Sequence, residues 1–268
     1  MPQLGEETFA KNLTTTAGGG AFITAATISA LDQEVSLLAT LPAAPFDQIV
    51  KTEMAAVGIS PELCQSAPNG FGPQLTVATV IDGDRSFLTH NAGPALPDAP
   101  LPSGEWRHLH VGELRTLADH PDLIAQARGL GMTISVDCGW DESVVHQGSQ
   151  VVDLLAGIDV FLPNETEFNA LTASGCREDV APLVVVKCGK EGARALTAGD
   201  WHHQPGIPTE VIDTTGAGDS FNGGFIVSWL SGLPLPACLA KGNQCGAASV
   251  SGVGGTCGVQ TLRSRLAV

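Results

Sequence analysis

Residues 212–225, IDTTGAGDSFNGGF, pack two acids, two threonines and four glycines into fourteen positions, directly ahead of an apolar run. Gly216 and Gly218 permit backbone angles that other residues resist. A glycine-rich loop that opens into a helix presents free amides at the positive end of the helix dipole, which suits an anion such as phosphate. Asp219 looks misplaced there, because a carboxylate repels phosphate. It makes sense if that carboxylate takes the proton from an alcohol attacking the phosphate. A base in reach of the nucleophile and amides around the developing charge are what phosphoryl transfer needs. A bare GxGD also reads as an acidic cap on a turn.

The chain before this loop alternates strand-like and helix-like segments. Apolar runs at residues 35–41 (VSLLATL), 107–112 (RHLHVG), 132–137 (MTISVD), 159–164 (DVFLPN) and 183–189 (LVVVKCG) read as strands. Residues 45–58, 121–131 and 149–157 read as helices, the first two with proline near the start and glycine at the end. Residues 75–90 read as two strands around an Asp-Gly-Asp turn, which makes Asp82, Asp84 and Arg85 hairpin residues. Two helices, near 217–231 and 236–251, follow the loop. Short apolar strands alternating with helices imply an α/β fold whose mainly parallel sheet is covered on both faces. Ligands gather at the carboxyl ends of such strands.

Composition bounds the function. The chain has 268 residues, 43% of them hydrophobic and 15% charged, and a net charge of −15. That core is sizeable, and that charge argues against a nucleic-acid partner. No apolar run approaches the ~20 residues of a membrane helix, and the opening MPQLGEETFAKN lacks the marks of a signal peptide. Seven scattered cysteines, never as CxxC, are expected to be small core residues in a reducing cytoplasm. His108 and His110 alternate on one strand face and read as satisfied polar groups.

The full string DTTGAGDSFNGGF resembles the C-terminal signature of the ribokinase-like (PfkB) carbohydrate kinase family, and the resemblance covers nearly the whole chain. It implies one domain, 1–268, with a three-layer α/β/α fold and a small β-lid built from about residues 5–18 and 72–93. Asp219 would be the catalytic base, and the amides of Gly216, Ala217 and Gly218 the anion hole. Asp213 and Thr215 match positions that hold a monovalent cation, K+, in some members. Residues 164–167 (NETE) look like the family's NxxE motif, with Asn164 and Glu167 serving the nucleotide and Mg2+ largely through water. That physics suits Mg2+, which prefers oxygen ligands and keeps waters, although Asn followed three residues later by Glu is also a capping box. Lys187, Gly189 and Gly192 in VVKCGKEGA, with Asn243 and Gly254 in KGNQCGAASVSGVGGTCG, match the surroundings of the ATP site. Asp137, at the end of a strand, is a further candidate to touch substrate or metal.

The departures lie in the N-terminal third. The family's usual first strand has no counterpart in the sequence. Gly18, Gly19 and Gly20 remain at the sugar side, but Ile23 stands where a sugar-binding Asn is usual. Residues 176–182 are short for the family, so a helix there is expected to be trimmed. The resemblance implies an ATP-dependent kinase for a sugar or nucleoside hydroxyl, cytoplasmic, and a homodimer through the lid. A catalytically silent binding protein of the same fold and a pyridoxal-type vitamin kinase are the alternatives.

Overall fold

A computed structural model describes residues 5, 7, 9, 13–67, 74–81, 84–90 and 93–266. In chain order its elements are α1 (Gly20–Ala30), β1 (Thr40–Leu41), α2 (Phe46–Ala56), β2 (Gln65–Ser66), β3 (Leu75–Ile81), β4 (Asp84–His90) and β5 (His108–Val111). There follow α3 (Leu114–Asp119), α4 (Leu123–Gly129), β6 (Thr133–Asp137), α5 (Glu142–Val145), α6 (Gly148–Leu154), β7 (Val160–Leu162) and α7 (Glu165–Ala173). The chain ends with β8 (Leu183–Lys187), β9 (Ala193–Thr197), β10 (Asp200–Gln204), α8 (Ala217–Leu230), α9 (Leu235–Ser249) and α10 (Cys257–Leu266).

The strand runs at 107–112, 132–137, 159–164 and 183–189 form four adjacent strands of a six-stranded sheet, ordered β10-β9-β8-β7-β6-β5, with 107–112 at its edge. β5 through β8 are parallel, while β9 and β10 close the far side antiparallel. Alternation along each strand separates two apolar layers. Ile134, Val136, Phe161, Val184 and Val186 pack on one face with Leu117 of α3, Ala127 of α4 and Leu171 of α7. Val160, Leu162 and Val185 pack on the other with Phe221 and Phe225 of α8 and Leu239 of α9. Near-continuous apolar strands are what burial on both faces demands. A third cluster joins α1, residues Leu37 and Leu41, and Met54 of α2 to Cys245 of α9 and Val259 of α10.

Several expectations need correction. Residues 35–41 do not form a full strand; only Thr40 and Leu41 do, in a two-stranded parallel pair with β2. A strand needs a partner along its length, and the six-stranded sheet ends at β5 without reaching them. The β9–β10 hairpin was not legible as strands, because β10 is an exposed edge of polar character (DWHHQ). The short helices α3 and α5 were also unforeseen. The β3–β4 hairpin forms as expected, pairing Ile81 with Asp84 and Val80 with Arg85; Asp82 lies outside the described residues. Residues 176–182 carry no helix. The seven cysteines are all free, and Cys138, Cys176, Cys238 and Cys245 are buried. Among the described residues no helix is long and apolar enough to cross a membrane.

His108 bonds Thr133 and Ser135 through its two ring nitrogens, and His110 bonds Ser135 through Nδ1. Burial pushes the His108 pKa down to about 3 and that of His110 to about 4, so both rings are neutral. His110 Nε2 is buried without a partner among the described residues, so this side chain is only half satisfied.

Candidate active site

The loop at 213–218 is held from both ends. Asp213 accepts the Thr215 amide through Oδ1 (2.7 Å) and the Gly254 amide through Oδ2 (2.9 Å), tying this loop to the one before α10. Gly216 caps α8 with φ 74°, and a methyl group there would meet Gly255 Cα at 2.8 Å. Left-handed angles and this close approach together require glycine. Gly223 and Gly224 explain the rest of the motif. A side chain on Gly223 would strike Thr27 of α1, and one on Gly224 would strike Cys245 of α9, so the paired glycines let α8 pack closely on both neighbours.

Asp219 is therefore in the first turn of α8 but caps nothing: the helix has no side-chain cap bond. Its carboxylate points at the other glycine motif. A methyl on Gly20 would come within 2.7 Å of Asp219 Oδ1, and Thr24 Oγ1 donates to the Asp219 carbonyl at 3.1 Å. The two glycine-rich stretches, about 200 positions apart, thus meet in the wall of a cavity of about 400 Å³.

The other walls of that cavity come from the carboxyl ends of parallel strands: Glu113 after β5, Asp137 ending β6, Asn164 and Glu167 after β7, Lys187 ending β8. Lys187 Nζ donates to both oxygens of Asp137 (2.9 and 2.7 Å) and to Asn222 Oδ1 (3.3 Å), and Asn222 Nδ2 donates back to Asp137. The ammonium also lies beside the loop that opens α8, 3.4 Å from where a Gly218 Cβ would be. Burial opposes the Lys187 charge, but Asp137 and Glu167 more than offset it and hold its pKa above the ordinary value. Burial, then Asp137, pushes the Asp219 carboxyl up to about 6, with Lys187 pulling the other way. The same causes push Glu167 up to about 7, and burial raises Glu113. Such displaced carboxyls in a cleft mark functional sites.

Residues 164–167 form a complete capping box: the Asn164 side chain accepts the Glu167 amide, and the Glu167 side chain accepts the Asn164 amide. Capping and lining the cavity are compatible, since one Glu167 oxygen closes the box while the residue still borders the cavity. The structure brings Gly20, Asn164, Glu167, Lys187, Gly189, Gly218 and Asp219 together there. Gly18, Gly19, Asp213, Thr215 and Gly254 line a larger adjoining cleft. Asn243 and Gly192 line neither. Asn243 Nδ2 donates to the carbonyls of Gln204 and Pro205, and Gly192 packs its backbone against the same loop. Ile23 fills space beside Gly216 and Gly255. Sequence reasoning missed Asn222 and Glu113; the position of Glu113 just past an apolar strand was the available signal.

The model of the pfkB family carbohydrate kinases matches residues 4–262. The chain belongs to the pfkB family. It is 26% identical over 256 residues to the ATP-dependent ribose-1-phosphate kinase of Halopiger xanaduensis, covering 92% of this chain and 84% of that one. It is 32% identical over 224 residues to the 2-dehydro-3-deoxygluconokinase of Bacillus subtilis, covering 72% and 67%. Among solved structures, the ribokinase of Cryptococcus neoformans in complex with ADP superposes with a TM-score of 0.81 at 19% identity, over 99% of this chain and 93% of that one. The fold is thus ribokinase-like, and family membership makes the chain a carbohydrate kinase rather than a vitamin kinase of the pyridoxal type.

Proposed function

We propose that this pfkB kinase moves the γ-phosphoryl group of ATP to a hydroxyl of a sugar or nucleoside, with Asp219 as the general base. The observation that carries the reading is the Asp219 carboxylate, half-buried, uncapped and set against Gly20 in the wall of the cavity. An acceptor hydroxyl lying over Gly18–Gly20 would meet Asp219 on one side and the first turn of α8 on the other. Asp219 takes the hydroxyl proton as the oxygen attacks phosphorus. The amides of Gly216, Ala217 and Gly218 face the charge that develops on the phosphoryl oxygens; Ala217 makes only a long bond, 3.3 Å, to Thr214. Lys187, clamped by Asp137 and Asn222, supplies a fixed positive charge beside them. Gly189 borders the ATP side, with Gly192 and Asn243 holding the wall behind it.

The donor set fits Mg2+. Glu113, Asp137, Asn164 and Glu167, whose side chains end in carboxylate or amide oxygens, line the cavity, while no group of three ligating side chains stands close enough to cage a metal among the described residues. A hard cation that keeps its waters and leans on phosphate suits such a site. When bound, it neutralises charge on the phosphate oxygens. Asp213 and Thr215, at the junction of the two loops, are the proposed K+ site. The β3–β4 hairpin borders the larger cleft through Thr76 and Phe87 and exposes Leu75, Val77 and Leu88, which supports a lid that also pairs two copies. Seven free thiols support a reducing, cytoplasmic setting. ADP release measured with ATP, Mg2+ and a panel of sugars and nucleosides tests the proposal. ADP formation that depends on one acceptor class supports it, and acceptor-independent or absent turnover across the panel overturns it.

A further inference from the structure

With Asp219 as the base, the acceptor hydroxyl lies over Gly20, and the walls of that place carry one sign of charge. A methyl on Gly20 would come within 2.7 Å of Asp219 Oδ1 and 3.3 Å of the Gly112 carbonyl oxygen. Glu113 follows Gly112 at the carboxyl end of β5, is half-buried, and lines both the smaller cavity and the larger cleft. Gly139, after β6, packs against its stem: a methyl there would meet Glu113 Cβ at 2.8 Å. An acceptor over Gly20 is thus met by two carboxylates and a carbonyl oxygen, which take hydrogen bonds and, when the acids are ionised, give none.

The cations nearest this place are committed elsewhere. Among the described residues that line the cavity, the one cation is Lys187, and its ammonium donates to Asp137 and Asn222. Arg107 lines the larger cleft, but it precedes β5 and stands five residues before Gly112, ~16 Å away along an extended strand. His108 and His110, on the same strand, are neutral. Arg115, two residues past Glu113, spends its guanidinium on Asp141 (3.4 Å) and Asp119 (3.7 Å). Burial accordingly raises the Glu113 pKa, and Arg115 offsets that only in part.

On the kinase reading given above, we infer that the acceptor is a polyol without an anionic group, a neutral or amine-bearing sugar or nucleoside, and that Glu113 is the residue that turns sugar acids and sugar phosphates away. An anion ~4 Å from an ionised carboxylate, at an effective dielectric of ~20, is disfavoured about a thousandfold. Hydroxyl and ammonium groups supply instead the donors that Glu113, Asp219 and the Gly112 carbonyl accept. The phosphates of ATP escape the same penalty because they lie on the other side of the cavity, where the first turn of α8, Lys187 and the metal meet them.

The test is kcat/KM with ATP and Mg2+ for matched acceptors that differ in one group, such as ribose, ribosylamine and ribose 1-phosphate, or glucitol, glucamine and gluconate. In the set that is turned over, the neutral and amine-bearing members are expected to exceed the anionic one by ~10²-fold or more. Glu113→Gln should narrow that gap at least tenfold by raising the anionic member, while Glu113→Asp, which keeps the charge, should preserve it. An anionic member that equals or exceeds its neutral counterpart in the wild type overturns the inference and leaves the kinase reading standing. A gap that Glu113→Gln leaves unchanged, or that both variants narrow alike, overturns the role of Glu113. The wild-type comparison decides the acceptor class whether or not the variants fold. Absence of turnover with every acceptor overturns the kinase reading itself, and the acceptor class with it.

Discussion

Asp219→Asn separates the catalytic reading of the opening motif from the capping one, because only the first predicts a gain in stability. The substitution keeps shape and removes the proton acceptor, and loss of a general base costs ~10²–10⁴ in rate. The carboxyl is pushed up to about 6 in the folded chain, against ~3.9 when unfolded. A raised acid contributes stability that is present below the unfolded value and lost as pH rises through the folded one. At pH 7 the ionised Asp219 therefore costs the fold up to ~3 kcal/mol, from about two pKa units at ~1.36 kcal/mol each. Asn carries no such cost. The variant should be slower by two to four orders of magnitude and more stable by up to that amount in urea denaturation at pH 7, with the gain shrinking toward pH 4. Wild-type kcat should fall as pH drops through about 6, with Glu167, at about 7, titrating as a coupled neighbour. A helix cap lost to Asn would leave stability nearly unchanged. Turnover within tenfold of wild type, or a variant less stable than wild type at pH 7, refutes the reasoning.

Three further outcomes follow from contacts in the same region. Lys187→Met leaves Asp137 buried without its cation, so denaturation should show a loss of ~3–5 kcal/mol, partly restored when Asp137→Asn is added; an unrestored double variant would mean that packing, not charge, sets the loss. Glu167→Gln keeps an oxygen for the capping box, so its melting temperature should hold while the Mg2+ concentration for half-maximal rate rises; an unchanged Mg2+ dependence would leave residues 164–167 with the capping role alone. Gly223→Ala places a methyl 2.7 Å from Thr27 Cβ, and overpacking of this kind costs ~1–3 kcal/mol. Urea denaturation checks it, and no loss would mean that α1 and α8 can separate freely.

What could be read from the sequence was what local chemistry decides. Gly216, Gly218 and Asp219 are neighbours in the chain, so the turn they make and the helix they open were legible before any fold was known. The parallel strands β7 and β8 were legible for a related reason, since burial on both faces leaves unbroken apolar runs. The clamp of Asp137, Lys187 and Asn222 was not, because its members come from three elements, 50 and 85 positions apart, and nothing beside Asn222 in sequence distinguishes it from a polar residue on a helix. Residues 35–41 show the same limit from the other side. Their composition is that of a buried strand, and Leu37 and Leu41 are indeed buried, yet only two residues pair. Side-chain pattern reports which face a segment wants to bury, while strand pairing is a property of two segments, and β2 offers residues 35–41 only the two partners Gln65 and Ser66.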